Sequence, residues 1–218
     1  MGHLWVVFGD GVDENGRPEK TKLITPHATG VILDLGAGNG HTVKYLDHSK
    51  VNKYIALEPN VRMHDQLRTT ASEAGYTESN GKLQILSCGA EDTPAILSSL
   101  NNNQVDTIIS ILTLCSVPNP QATIKNLIHD VLKPGGQFLY YEHVLSPLKD
   151  VAWWQRFWAP LWAFWLDGCR MDQPTHAYVE EVPGRGDEDV WKERSVWGKE
   201  GEPDSHLFWH RVGRYVKA

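Results

Sequence analysis

Five short runs of apolar residues, each bounded by residues that favour turns, recur along the first two thirds of this chain. They occupy residues 31–35, 54–57, 83–86, 105–111 and 137–141. Segments with helical character separate them, at residues 41–48, 61–74, 92–100 and 121–132. Unbroken apolar strands are covered on both faces, and strands that alternate with helices at this spacing form parallel sheets. The pattern therefore predicts an α/β fold with a doubly wound, mostly parallel sheet.

The chain has 218 residues, a length that suits a single domain. Residues 1–30 form a short N-terminal segment, 31–145 the predicted ligand-binding core and 146–218 a terminal region. Because residues 9–18 are rich in glycine and polar residues, we expect a loop there and little helix to cover a site. The terminal region should end in an antiparallel hairpin, with strands at 189–196 and 206–216.

Charge and cysteine spacing exclude several classes of protein. The net charge is −6 and no cluster of Lys and Arg occurs, which argues against nucleic acid as a partner. Cys88, Cys115 and Cys169 lie far apart without a CxxC pair, so we expect neither a disulfide framework nor a metal site. No apolar run approaches the roughly 20 residues of a transmembrane segment, and we therefore expect a cytoplasmic protein.

A glycine-rich loop, DLGAGNG at residues 34–40, joins the first predicted strand to the following helix. Glycines at this point let the backbone approach a ligand and direct free N–H groups at it. The dinucleotide-binding fingerprint would place its third glycine where His41 stands, and Asp34 would repel a pyrophosphate. An acid before the loop instead suits the cationic end of an amino acid, such as the methionine part of S-adenosylmethionine.

Further polar residues follow the next strands. The carboxylate of Glu58 ends the second strand and could accept hydrogen bonds from both hydroxyls of a ribose. Glu91 or Asp92 could bind an adenine amino group, although Asp92 could equally cap the next helix. The alternative is a structural glycine turn beside a solvated acid. The predicted cofactor-binding set is Asp34, Gly36, Ala37, Gly38, Gly40, Glu58, Pro59, Ala90, Glu91, Asp92, Leu112 and Thr113.

With DLGAGNG, ALEP, GAED and VLKPGG in this order, residues 31–145 resemble the class I S-adenosylmethionine-dependent methyltransferases. The resemblance implies S-adenosylmethionine as cofactor and a Rossmann-like, seven-stranded sheet whose last strand is antiparallel. TLCSVPNP, VLKPGGQFLYYEHV and LDGC, within residues 105–170, look like the thiol S-methyltransferases of the methyltransferase-like group. That closer resemblance implies methylation of a small lipophilic thiol, with a hydroxyl acceptor less favoured. Members of that group carry an N-terminal membrane segment, which we do not expect here.

Two residues near the predicted acceptor site are candidates for catalysis. His143 follows the fifth strand and Asp167 follows a tryptophan-rich segment, and either could orient or deprotonate an acceptor. The alternative is that His143 binds a loop and that Asp167 caps or turns the chain. Some biosynthetic enzymes with this fold catalyse pericyclic ring closure instead of methyl transfer, and that reaction is the second candidate function. A non-catalytic protein that binds S-adenosylmethionine is the third.

The segment 153–165 contains five tryptophans and has helical spacing. Its apolar side should include Trp154, Trp158, Trp162 and Trp165, and Pro160 should kink or divide the helix. Because the segment has a single basic residue, Arg156, a helix lying on a membrane surface is disfavoured. We expect some rings to line an apolar acceptor site or a homodimer surface, the alternative being ordinary core packing.

Overall fold

The computed structural model describes residues 9, 11–166, 168–186 and 188–218. Its centre is a seven-stranded sheet in the order β3-β2-β1-β4-β5-β7-β6. The strands are β1 Gly30–Leu35, β2 Val51–Leu57, β3 Leu83–Leu86, β4 Val105–Ile111, β5 Leu132–His143, β6 Trp191–Gly198 and β7 His210–Lys217. The first five strands are parallel, whereas β7 pairs antiparallel with both β5 and β6. This topology confirms the predicted Rossmann-like sheet and its terminal hairpin.

Helices flank the sheet, and those that follow β2, β3, β4 and β5 agree with the predicted segments to within a few residues, whereas the helices at 17–27 and 175–180 were not predicted. The α-helices are α1 Arg17–His27, α2 His64–Glu73, α3 Thr93–Ser99, α4 Pro120–Asn126, α5 Lys149–Trp165 and α6 Thr175–Glu180. Two predicted helical segments contain tighter or wider turns instead, a 3-10 turn at His41–Tyr45 and a π-turn at Leu127–Val131.

Two buried apolar layers cover the two faces of the sheet. One layer contains Ile96 of α3, Ile124 of α4 and Val179 of α6, packed on residues such as Ile108 and Phe138. The other packs α1 and α2 against the opposite face through Leu23, Ile24, Leu67 and Ala71. Burial on both faces explains why the central strands are unbroken apolar runs.

The expectation of a loop at residues 9–18 was wrong. Residues 11–15 are helical, and Gly16 joins them to α1, whose first turn contains Pro18. The buried carboxylate of Asp13 contacts the ammonium group of Lys20 and accepts a hydrogen bond of 2.9 Å from the hydroxyl of Tyr45. These tertiary contacts hold the segment against the sheet despite its polar composition.

Helix α5 turns its aromatic side to the solvent. Trp153, Phe157 and Trp165 are each 56% exposed, whereas Gln155 and Ala159 are fully buried. The Gln155 side chain bonds three backbone groups: Oε1 accepts from the N–H of Ser146, and Nε2 donates to the carbonyls of Val144 and Leu207. The arc of small and amide side chains therefore packs inward.

The predicted division of this helix at Pro160 does not occur, because α5 runs without a break across that residue. Within the described residues, no helix combines the length and the hydropathy that are needed to cross a membrane.

The pairing of β5 with β7 generates a stability prediction. Tyr140 lies opposite Gly213, where an added Cβ would come within 2.3 Å of the tyrosine ring. We expect Gly213→Ala to lower the free energy of unfolding by about 1–3 kcal/mol, measured by urea denaturation, because the buried ring must move. Gly11→Ala is the control, since a Cβ there meets no atom within 4 Å. Equal stability of the two variants would contradict this packing.

Candidate active site

A cavity of about 580 Å³ opens at the carboxyl ends of β1, β2 and β4. Strand β1 lies between β2 and β4, so the order of the sheet changes direction there. In open α/β sheets, ligands bind in the crevice at this switch point. Ten residues of the predicted cofactor-binding set line the cavity: Asp34, Gly36, Ala37, Gly38, Glu58, Pro59, Ala90, Glu91, Leu112 and Thr113.

The glycine loop forms the floor of the cavity and needs glycine at two points for different reasons. Gly36 has a φ of +60°, and a Cβ there would come within 2.6 Å of the Thr113 side chain. Gly38 has a φ of +54°, and the nearest atom to an added Cβ would be 4.0 Å away. Gly36 therefore allows close packing with the loop after β4, while Gly38 presents bare backbone to the cavity.

Asp34 stands at the end of β1 with only 1% of its surface exposed. Its Oδ2 accepts a hydrogen bond of 2.6 Å from the hydroxyl of Tyr54. Burial raises the pKa of the Asp34 carboxyl to about 7, against hydrogen bonds that act to lower it. Because desolvation penalises the ionised form, a bound cation would stabilise the carboxylate here.

Glu58 is held at the end of β2 by the backbone on both sides of it. Oε2 accepts from the N–H of Gly38 at 2.8 Å, and Oε1 accepts from the N–H of Asn60 at 2.7 Å. This carboxylate thus connects the glycine loop to the turn after β2, and it lines the cavity.

Two members of the predicted cofactor-binding set lie outside the cavity lining. Asp92 caps α3, because its Oδ1 accepts a hydrogen bond of 3.1 Å from the N–H of Ala95. Gly40 precedes the 3-10 turn with a φ of +82°, and an added Cβ would contact Leu67. Their roles are therefore to start a helix and to end the loop.

The loop after β4 is fixed by Glu142, which the sequence analysis did not single out. Glu142 is fully buried, and its Oε1 accepts from the hydroxyl of Ser110 and from the N–H groups of Thr113 and Leu114 at 2.8–3.1 Å. These bonds support the left-handed φ of +54° at Leu112. A lone glutamate beside a histidine carried no periodic signal that could have identified this role.

The N-terminal segment provides one wall of the cavity that was not predicted from the sequence. Gly9, Val12, Asp13 and Lys20 of this segment line the cavity, together with His41 after the glycine loop and Ser116, Val117 and Pro118 after β4. His41 is the one histidine of the described residues in the lining, with its Nδ1 3.8 Å from the Asp13 carboxylate. The only feature of the sequence that could have pointed to His41 was its position, because a dinucleotide-binding fingerprint has glycine there.

His143 is not part of the cavity lining. Strand β5 ends with this residue buried, its Nε2 3.3 Å from Sγ of Cys169 and its ring edge against Phe208. Cys115 also reaches Cys169, at an Sγ–Sγ distance of 3.4 Å. Contact with Cys115 and His143 lowers the pKa of Cys169, whereas contact with Cys169 and burial raise the pKa of Cys115. The second catalytic candidate, Asp167, lies outside the described residues.

The predicted acceptor-site tryptophans are likewise not brought to the cavity. Trp154, Trp158 and Trp165 are between 41% and 56% exposed on the outer side of α5. Trp162 is half-buried and packs on Phe208, with ring centroids 4.9 Å apart. The cause is the inward orientation of Gln155, which turns the aromatic side away from the sheet.

Comparisons with known proteins agree with this geometry. A family model described as a methyltransferase domain matches residues 33–140. Thiol S-methyltransferase TMT1B of Rattus norvegicus is 28% identical in an alignment of 156 residues that covers 69% of this chain and 58% of that protein. The chain therefore spans less than two thirds of the length of this relative.

Two solved structures, each 12% identical in sequence, share the fold. An O-methyltransferase family protein from Burkholderia thailandensis has a TM-score of 0.65 and covers 97% of this chain, which covers 59% of that protein. The [4+2]-cyclase SpnF also has a TM-score of 0.65, with coverage of 92% and 78% respectively. Since the fold occurs in proteins described by different reactions, the fold alone does not identify the reaction.

The buried carboxyl of Asp34 predicts a pH-dependent stability. An unfolded aspartate ionises at a pKa of about 3.9, so between about pH 4 and pH 7 the native state retains a proton that the unfolded chain has lost. Stability therefore falls as pH rises through this window. Relative to the wild type, the free energy of unfolding of Asp34→Asn should increase by roughly 2–4 kcal/mol between pH 4 and pH 7. Above about pH 7 the difference between the two proteins should stay constant.

Urea denaturation at several pH values measures this difference. Asp65→Asn, at a fully exposed carboxylate on α2, is the control and should show no comparable gain. A pH-independent difference between Asp34→Asn and the wild type would show that Asp34 is ionised throughout.

Proposed function

Residues 33–140 form a class I methyltransferase domain, and from this premise we propose that the chain uses S-adenosylmethionine to methylate a small apolar thiol. The observation that carries the proposal is a pair of buried carboxylates inside one cavity, Asp34 at the start of the bare glycine loop and Glu58 after β2, bonded to that loop at Gly38. The thiol acceptor is supported by the thiol S-methyltransferase relative.

The residues of the cavity fit this cofactor. Gly38 leaves space where a Cβ would otherwise project, and its neighbour Glu58 offers a carboxylate suited to a vicinal diol. Asp34 would hold the amino group, since a cation compensates for the buried carboxylate. Ala90 and Leu112 would flank the adenosine. When bound, S-adenosylmethionine supplies a methyl group activated by a sulfonium centre.

The acceptor would bind in the half of the cavity that the N-terminal segment closes. Val12, Val117 and Pro118 are apolar residues of the cavity lining that would contact it. Small apolar acceptors fit such a lining, and exclusion of water favours reaction of a charged nucleophile.

His41 would take the proton of the acceptor thiol on its imidazole ring. A thiol with a pKa of about 8.5 is only a few per cent ionised near pH 7, so a base increases the reactive fraction. The Asp13 carboxylate, 3.8 Å from Nδ1 of His41, would favour the imidazolium that forms, whereas the ammonium group of Lys44, with its Nζ 3.0 Å from the same nitrogen, acts against it. Lys20, which is paired with the same carboxylate, keeps that wall in place.

Cofactor binding is tested by Glu58→Ala, with Asp92→Ala as a matched control. We expect Glu58→Ala to weaken S-adenosylmethionine binding about 10- to 100-fold in calorimetry, because hydrogen bonds to a charged group are lost. Asp92→Ala should keep the affinity and lose about 1 kcal/mol of stability, since Asp92 caps α3 outside the cavity. An unchanged affinity in Glu58→Ala would contradict the assigned cofactor site.

Methyl transfer is tested with isotopically labelled methyl on S-adenosylmethionine and with matched alkyl thiols and alcohols. We expect label in the thioether product, and about a 10- to 100-fold lower kcat for His41→Gln at pH 7. This deficit should shrink towards pH 9, because the thiol then ionises without a base. His48→Gln, at an exposed residue, is the control.

Several results would contradict this function. Label only in the alcohol product would exclude the thiol preference. Binding of S-adenosylmethionine without transfer of label would favour a cyclase or a non-catalytic protein. A pH-independent deficit in His41→Gln would assign His41 a structural role instead of proton transfer.

A further inference from the structure

Three side chains with soft or borderline metal-ligand atoms meet in the interior, outside the cavity lining. They are Cys115 in the loop after β4, His143 at the end of β5 and Cys169 beyond α5, and each is at least nine-tenths buried. The ligand atoms of all three lie within 4.8 Å of one another. The cluster joins parts of the chain up to 54 residues apart, which is why cysteine spacing alone did not reveal it.

A backbone contact joins the segments of Cys115 and Cys169 independently of their side chains. The N–H of Arg170 donates a 2.9 Å hydrogen bond to the carbonyl of Cys115, which joins the segment after α5 to the loop after β4. Gly168, with a φ of +86°, makes the turn that brings Cys169 back to the sheet. Both cysteines are thus fixed close to His143.

We propose that Cys115, His143 and Cys169 bind one zinc ion. In a tetrahedral site with Zn–S bonds of about 2.3 Å and Zn–N bonds of about 2.1 Å, two sulfurs lie about 3.8 Å apart, and a sulfur and a nitrogen about 3.6 Å apart. The observed distances are 3.4 Å between the sulfurs and 3.3 Å between Sγ of Cys169 and Nε2 of His143. Expansion by a few tenths of an ångström in these two contacts makes room for the metal.

The chemistry of the ligands selects zinc over harder cations. Two thiolates and one imidazole suit Zn²⁺, whereas Mg²⁺ and Ca²⁺ prefer oxygen ligands. Three protein ligands leave the fourth tetrahedral position for water or another small ligand. The proposal does not depend on the acceptor or on methyl transfer, because none of the three ligands lines the cavity.

The polar surroundings support a buried dication. Binding releases the thiol protons, and the charge of the metal then offsets the two buried thiolates. The carboxylate of Glu142, also buried, precedes His143 and is hydrogen-bonded to the loop that carries Cys115. Its hydrogen bonds fix the position of the loop that carries Cys115.

Cys115 and Cys169 could instead form a disulfide, because the distance between their sulfurs also allows oxidation. An experiment must therefore count both metal and thiols. The purified, reduced chain is stripped of metal with a chelator, loaded with zinc and desalted. Elemental analysis should give one zinc per chain, and titration of the denatured, metal-free protein should give three free thiols.

Cobalt loading of the wild type tests the ligands without any substitution. Two thiolate ligands should give a near-ultraviolet thiolate-to-cobalt band and intense visible bands of a tetrahedral ion. Cys115→Ser and Cys169→Ser should lose zinc and the charge-transfer intensity. Cys88→Ser is the matched control, since Cys88 lies outside the cluster, and it should retain one zinc per chain.

Three outcomes would overturn the proposal. If the wild-type chain retains no zinc and gives no tetrahedral cobalt spectrum, the site does not exist. Loss of two thiols from the count in the wild type would show a disulfide between Cys115 and Cys169. Loss of zinc in Cys88→Ser, or retention in both other variants, would place the metal elsewhere.

Discussion

The buried carboxylate of Glu142 is the interaction on which the functional end of this molecule depends. It accepts hydrogen bonds from the hydroxyl of Ser110 and from the N–H groups of Thr113 and Leu114. These bonds tie the end of β4, the loop after it and the end of β5 into one unit. The loop supplies a cavity wall on one side and Cys115 on the other, so one carboxylate positions two separate sites. Loss of an acceptor would leave buried donors unpaired, which is costly in an apolar interior.

Much of the sheet could be predicted because its signals are local. The runs at 83–86 and 105–111 agree with β3 and β4 in full, since both are short, mostly apolar segments bounded by turn residues. Asp34 and Glu58 could be placed together because the carboxyl ends of adjacent parallel strands meet at one edge. Strand ends and glycine turns thus locate the candidate cofactor site without any knowledge of distant contacts.

The remaining features depend on contacts between distant residues. Helical periodicity places the tryptophans of α5 on one side, but the backbone groups bound by Gln155 decide which side faces inward. The N-terminal segment is polar, and only its contacts with Tyr45 and, at Glu19, with Trp197 reveal a wall instead of a loop. Cys115 and Cys169 meet only after the sheet and α5 have formed. Apart from the bonds of Gln155 to Val144 and Ser146, these contacts join residues between 32 and 178 positions apart, which no local window of sequence contains.

The outward aromatic side of α5 has a consequence for how the molecule is observed. Five of the nine tryptophans lie on this helix, and all but Trp162 among them are more than 40% exposed. Intrinsic fluorescence will therefore be dominated by indoles that are in contact with water and do not line the cavity. A change in emission maximum on addition of detergent or lipid reports the covering of this helix, whereas filling of the cavity leaves these fluorophores in place. A fluorescence titration thus distinguishes ligands that cover the aromatic side of α5 from ligands that fill the cavity.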